Sequence, residues 1–317
     1  MRDGTLMARP GQPYKPATIR RYEEALRLHI GPVIGHVRLS DLERADVKAM
    51  WKEWSRAGMS PSSIRNNIDP LRVIIREAVE DGRLAVDPIA KIKLPQGSGR
   101  RERVADRAEA QALLDALPDD GRALWATAFY ATLRRGELRA LRWSDVDFDT
   151  GIRVNRGWDD KAGEQAPKSE ASERRVPITG TLRKILAAHK LATGRGGDDL
   201  VFGRTATLPF TASTVGRRAR QAWGWKQVPN PEPTGPRLIW EKAREDALTP
   251  IALHESRHSG ASYAREAGLD DVELAAMVGH SDVRTTKSIY VHLFADSGEK
   301  VRAKLDAYHG EVDESRA

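Results

Sequence analysis

Residues 254–258 read His-Glu-Ser-Arg-His, a run whose types and spacing could do chemistry. His254 and His258 satisfy the H-E-x-x-H pattern, in which two imidazoles one helical turn apart hold zinc and the glutamate acts as base. His254 and Arg257 stand three residues apart and His258 one step further, so on a helix all three share a face. Two chemistries compete for such a face, a zinc ion or a phosphate. Zinc needs a third protein ligand. The extended protease pattern calls for Gly and His where this chain has Ala261 and Ala264. Glu273 is acidic and near, but Gly268 intervenes, and Asp270 with Glu273 forms a capping pair for the next helix. A guanidinium between two ligating imidazoles would also repel a cation. No metal is therefore expected. A phosphodiester fits better, because Arg offers a planar donor fork to phosphate oxygens and His positions or accepts a proton near neutral pH.

Similar chemistry recurs along the chain. Leu133-Arg134-Arg135-Gly136-Glu137-Leu138 puts Arg134 at the entry to a helix, where backbone amides also favour an anion. Pro167-Lys168 sits in a polar loop between strand-like segments. Val278-Gly279-His280-Ser281 puts His280 just past a helix end, and Tyr290 lies in the apolar stretch Ser288-Ile-Tyr-Val-His292. Singly, each is an ordinary structural feature.

In this order the set resembles the tyrosine recombinases of the phage-integrase family. The Arg134 segment resembles the family's first arginine motif. Pro167-Lys168 followed by Arg174-Arg-Val-Pro-Ile resembles the β-hairpin lysine motif. His254 to His258 resembles the H-x-x-R motif, and Gly279-His280 through Tyr290 resembles the G-H…Y motif that ends on the nucleophile. Two departures touch no reacting group: Thr132 stands where Gly is common, and Val278 replaces the usual Leu.

The resemblance implies a site-specific DNA recombinase that needs neither ATP, metal nor other cofactor. Tyr290 would attack a DNA phosphate, giving a 3′-phosphotyrosyl link and a free 5′-hydroxyl. A phenol with an ordinary pKa near 10 needs help at neutral pH, and His254 would accept or position its proton. Arg134 and Arg257 would clamp the non-bridging oxygens. Lys168 would protonate the leaving oxygen, and His280 would donate to a phosphate oxygen. Glu137 would brace the Arg134 helix and His258 would support His254. Implied partners are double-stranded DNA attachment sites, three further copies in a tetramer that passes through a Holliday junction, a host DNA-bending protein and an excision-directionality factor. A chromosome-dimer-resolving or transposon-borne recombinase, a type IB topoisomerase and a non-catalytic DNA-binding regulator are the alternatives. The regulator would show a missing nucleophile or arginine, and none is missing.

The expected fold is mainly α: a helical core-binding domain, then a mixed catalytic domain with a small antiparallel sheet. Residues 1–16 read as a flexible lead, 17–94 as the helical domain, 95–106 as a basic linker and 107–317 as the catalytic domain with its tail. Thr18 is expected to cap a first helix that Gly31-Pro32 stops. A second starts near Asp46, and a third opens at Ser60-Pro61 and kinks or breaks at Pro70. In the second domain, helices are expected at 107–116, 121–132, 135–142, 181–191, 211–223, 239–246 and 254–266. Another runs from Asp270 to Gly279, with short ones at 282–290 and in the tail. Val146 to Phe148, Ile152 to Arg156 and Arg174 to Ile178 read as strands, with a polar loop between the last two.

The 317 residues carry a formal net charge of +7, which suits a polyanionic partner. Arg217-Arg-Ala-Arg220 is the candidate DNA reader in the second domain. Zero cysteines remove disulfides, thiol nucleophiles and cysteine zinc sites. No apolar run reaches membrane-spanning length, and the N-terminus lacks a signal-peptide block, so a cytoplasmic, DNA-associated protein is expected.

Overall fold

The computed structural model describes residues 7–9, 12–96, 103–166, 173–232 and 236–279. The chain divides into two compact units, Met1–Arg101 and Glu102–Ala317.

In the first unit, β1 (Met7–Arg9) and β2 (Gln12–Pro13) pair as a short ribbon inside the stretch read as a flexible lead. Helix α1 (Pro16–Ala25) begins two residues before the expected Thr18 cap, with Pro16 in its first turn, where a missing N–H costs nothing. Gly31-Pro32 does not stop the helical path. A π-turn at Leu26–Ile30 widens the coil, and α2 (Gly31–Ile34) continues it. In the wider turn the Gly31 amide bonds the Leu26 carbonyl, so the register has already slipped where Pro32 lacks its donor. Helix α3 (Arg44–Arg56) is capped by Asp46, whose carboxylate accepts from the Glu43 amide at 2.9 Å. Helix α4 (Pro61–Glu80) opens at Ser60, whose hydroxyl accepts from the Ser63 amide. It runs through Pro70 without a break. Pro70 is buried beside Ile68 and Leu71, and this packing holds the helix across one missing hydrogen bond. Val47, Met50, Ile64, Ile68 and Ile75 form the core of the unit.

The second unit is built round α6 (Asp119–Tyr130), in which every residue from Ala123 to Phe129 is buried. Against it pack α5 (Arg107–Asp115), α8 (Gly180–Thr193) and α10 (Leu253–Glu266). The closest approach is at Gly260, where an added Cβ would fall 1.8 Å from the Phe129 carbonyl oxygen. Trp125 meets Trp223 edge-on at 4.9 Å, and the Trp223 indole donates to the Leu113 carbonyl. After α6 the chain turns into the short α7 (Arg135–Ala140). Three antiparallel strands follow in the order β3 (Val146–Asp147), β4 (Gly151–Val154), β7 (Arg174–Val176). Val146, Ile152, Val154 and Val176 turn into the core.

Two hairpins correct the sequence reading. Part of the polar loop is a ribbon of β5 (Gly157–Asp159) and β6 (Gly163–Gln165). The Asp159 carboxylate caps its turn by accepting from the Lys161 and Ala162 amides. The helix expected at 239–246 is instead β9 (Leu238–Lys242), paired with β8 (Trp225–Pro229) after α9 (Ala212–Ala222). The Trp225 indole anchors this hairpin to the Leu248 carbonyl, and Arg220 stacks on Trp240 at 5.2 Å. Helix α11 (Asp271–Val278) has the expected capping box, Asp270 with Glu273, and ends at Gly279 with φ 67°. The helices expected at 282–290 and in the tail lie outside the described residues. Among the described residues no helix is long and apolar enough to cross a membrane.

Gly260 gives a test of the α6–α10 contact. Helix propensity alone would favour Gly260→Ala by about 1 kcal/mol. Overpacking against the Phe129 carbonyl should reverse the sign and cost about 1–3 kcal/mol. Urea unfolding of the full chain measures this, and a raised midpoint would mean the two helices separate freely.

Candidate active site

The site forms where the last turn of α11 meets the start of α7, the edge of β7 and the face of α10. Gly279 turns left-handed and leaves the final carbonyls of α11 pointing outward, at the negative end of the helix dipole. Three arginines from three elements collect there. Arg174 Nε donates to the Met277 carbonyl at 2.8 Å, Arg257 Nη2 to Val278 at 2.5 Å, and Arg134 Nη2 to Gly279 at 2.6 Å.

Arg257 is 2% exposed, and its Nη1 donates to the Thr132 carbonyl at 2.6 Å. Both carbonyls satisfy its donors without cancelling its charge. Arg134 precedes α7 and is about one-third exposed. The anion at the start of that helix is internal: Glu137 Oε2 accepts from the Arg134 amide at 2.7 Å, and Oε1 accepts from Arg134 Nη1 at 2.9 Å. Arg174 forks onto the same carboxylate, Nη1 to Oε1 at 3.1 Å and Nη2 to Oε2 at 3.0 Å. Burial pushes the Glu137 carboxyl up. The hydrogen bonds and charge of Arg174, then the amide and charge of Arg134, outweigh it, and the group is held below the ordinary carboxylate range.

His254 and His258 lie on one face of α10, as the spacing implies. Their rings meet edge-on with Nε2 atoms 3.0 Å apart, so one ring donates to the other. His258 is buried and His254 exposed. Glu255 is occupied as the helix cap, accepting from the Ala252 amide at 2.8 Å, and is not placed as a base. Among the described residues no group of three or more His, Cys, Asp or Glu side chains could hold a metal.

The structure thus brings Arg134, Glu137 and Arg257 to the end of α11, and sets His254 and His258 together on the helix that carries Arg257. Lys168, His280 and Tyr290 lie outside the described residues. Arg174 is the member that sequence reasoning left without a role. Its only signal was its place in the strand motif, because a partner 37 positions away leaves no local pattern. Beside His254 an open cleft of about 760 Å3 runs between α9 and the β8–β9 hairpin, lined by Arg135, Arg217, Arg220 and Trp240 among others.

Thr132 carries backbone strain at the site. It is fully buried with φ 52°, and its hydroxyl has no hydrogen-bond partner among the described residues. A β-branched residue is disfavoured in this left-handed region, which explains why Gly suits the position. Thr132→Gly keeps the carbonyl that Arg257 uses. Relief of about 1–2 kcal/mol of left-handed strain should offset the roughly 1.6 kcal/mol lost with the buried Cβ and methyl, so the variant should stay within about 1 kcal/mol of wild type. A denaturation midpoint lowered by more than that would refute the balance. Glu137 gives a pH test. Its depressed carboxyl contributes stability that is complete above the ordinary value of 4.5 and is lost as pH falls below it through the folded value. Urea midpoints measured down to acid pH should fall less steeply in Glu137→Gln, and an unchanged slope would contradict the assignment.

The profile of the phage integrase family matches residues 103–296. The chain is 24% identical over 299 residues to the ICEBs1 integrase of Bacillus subtilis (strain 168), covering 92% of this chain and 78% of that protein. It is 27% identical over 308 residues to tyrosine recombinase XerC of Xanthomonas campestris pv. campestris (strain B100), covering 95% and 85%. A solved structure of the Tn1549 transposon integrase in complex with a circular intermediate DNA superposes with a TM-score of 0.73 at 18% identity, covering 92% of this chain and 94% of that one. With more than half its length matched by the family profile, and with the family's arginine and H-x-x-R motifs meeting in one site, this chain belongs to the phage integrase family.

Proposed function

We propose that the protein is a site-specific DNA recombinase that cleaves and rejoins DNA through a covalent 3′-phosphotyrosine. The observation that carries this reading is the meeting of Arg134 and Arg257 at the end of α11, immediately before His280, with His254 one helical turn from Arg257 on the same helix. Arg257, held by carbonyls, and Arg134, which shares the one Glu137 carboxylate with Arg174, leave a net positive charge for a phosphate. His254, exposed at the edge of the cluster, serves as proton acceptor or positioner, with His258 fixing its ring. Lys168 is the general acid, His280 a further donor and Tyr290 the nucleophile.

The other tyrosines of the second unit's described residues suit the nucleophile's part poorly. Tyr263 spends its hydroxyl on the Ala105 and Asp106 carbonyls, and burial pushes its phenol well above the ordinary range. Tyr130 is likewise pushed up by burial, then by Asp115. Attack by Tyr290 forms the phosphorus–oxygen bond to the phenol and breaks the bond to the 5′-oxygen, which takes a proton from Lys168. A 5′-hydroxyl from a second duplex reverses the step and completes the exchange. The cleft bearing Arg217 and Arg220 tracks the DNA backbone beside the scissile phosphate, and the helical first unit supplies further contacts. The working assembly is a tetramer on paired attachment sites. A host DNA-bending protein and an excision-directionality factor act on that assembly.

Covalent capture tests the reading. Wild type and Tyr290→Phe are mixed with sheared DNA from the element carrying the gene and from its host, denatured in detergent, and the protein-bound DNA is sequenced. Wild type alone should retain DNA, at one or two discrete sequences. Arg134→Ala and Arg257→Ala should each lower the yield by about 10²–10³-fold. Equal traces from wild type and Tyr290→Phe would remove Tyr290 as nucleophile and favour a non-catalytic DNA-binding role.

A further inference from the structure

Arg174 touches three parts of the cluster, the Met277 carbonyl, the Glu137 carboxylate and the Gly279 turn. It leaves β7, where its backbone pairs in register with Val154, and its side chain is 6% exposed. One edge of the guanidinium holds the Met277 carbonyl, and the fork holds both oxygens of Glu137. A Cβ built on Gly279 would lie 2.9 Å from its Nη1 and 3.1 Å from its Cζ. The guanidinium therefore rests against the backbone that leads into His280, and Gly279 is required there for space as well as for its positive φ. Arg174 thus ties together the strand that follows the Lys168 loop, the helix that presents Arg134 and the turn that leads to His280.

The charge balance gives this tie a consequence. Glu137 alone with Arg134 would be a neutral pair. Shared between two arginines, one carboxylate leaves a net positive charge on the trio, and Arg257 adds another. A bidentate fork also fixes the plane of the carboxylate, and so the direction in which Arg134 is held.

We propose that Arg174 is a positioning residue for strand cleavage: through Glu137 it sets the direction and effective charge of Arg134, and through Met277 and Gly279 it sets the turn before His280. This rests on the recombinase reading above.

The test uses the full chain and a DNA carrying the sequence recovered by covalent capture. A nick beside the cleavage position lets the 5′ fragment escape and traps the adduct. Single-turnover adduct rates at saturating protein, DNA affinity and folded fraction are measured across pH for wild type, Arg174→Gln, Arg174→Lys and Glu137→Gln. Arg174→Gln should slow the adduct about 10–100-fold, as lost supporting contacts do, with affinity changed less than about threefold because no phosphate contact is lost. Arg174→Lys should recover part of the rate, since charge returns without the fork. Removing Arg174 takes from Glu137 the partner that most lowers its pKa. The acid limb of the rate profile should therefore move to higher pH in Arg174→Gln, and combining it with Glu137→Gln should cost little more. A purely structural arginine would lower the folded fraction and leave the pH profile of the folded protein where it was, and that result overturns the proposal. If Arg174→Gln does not fold, Arg174→Lys carries the test, and a wild-type rate and profile in that variant overturns it. No adduct from wild type would mean that the recombinase reading itself has failed, and the role of Arg174 falls with it.

Discussion

Three consecutive carbonyls at the end of α11, each taking a donor from a different arginine, hold the second unit's site together. The turn at Gly279 exposes these oxygens, and the helix dipole makes them attractive to cations. Each arginine comes from a separate element, so the contact fixes β7, α7 and α10 against one helix end. Burying a guanidinium such as Arg257 is costly unless its donors are satisfied. Neutral acceptors meet that need and leave the charge in place. Carboxylate partners would satisfy the same donors but would cancel the charge. Among the described residues the cluster uses one carboxylate for two arginines, which braces Arg134 and leaves that trio with a net positive charge.

The packing beneath follows from the same demand for close approach. Arg257 reaches the Thr132 carbonyl because α10 lies tight on α6 at Gly260. Thr132 must turn left-handed to present that carbonyl, and its strain is carried by a core of Trp125, Phe129, Leu133 and Leu138. The start of the unit is pinned to the same helix, since the Ser259 hydroxyl accepts from the Ala105 amide and Tyr263 donates to the Ala105 carbonyl. Helix α10 is therefore the platform from which the histidine pair and Arg257 project.

Much of this was legible in the sequence, for identifiable reasons. Amphipathic spacing gave α3 and α4, and the Asp270–Glu273 box marked the start of α11 to the residue. The i, i+3, i+4 spacing of His254, Arg257 and His258 put them on one face, as found. Failures came where tertiary contacts overrode local preference. Leu238 to Lys242 is followed by good helix formers, yet it pairs with Trp225 to Pro229 because Trp225 and Trp240 are tied to Leu248 and Arg220. Pro70 and Gly31-Pro32 read as breaks, but burial in one case and a π-turn in the other kept the helices running. Arg174 was visible only as a strand residue, since its role depends on Glu137 and Met277, each distant in sequence.

The histidine pair completes the physical picture. A 3.0 Å contact between two Nε2 atoms requires one hydrogen between them, so His258 and His254 act as a unit in which one ring fixes the other's orientation. His258 is buried beneath and His254 stands at the surface. Arg257 and the histidine pair are thus positioned by the same helix. One displacement of α10 would disturb both, which ties the chemistry of the site to the packing of Gly260 on Phe129.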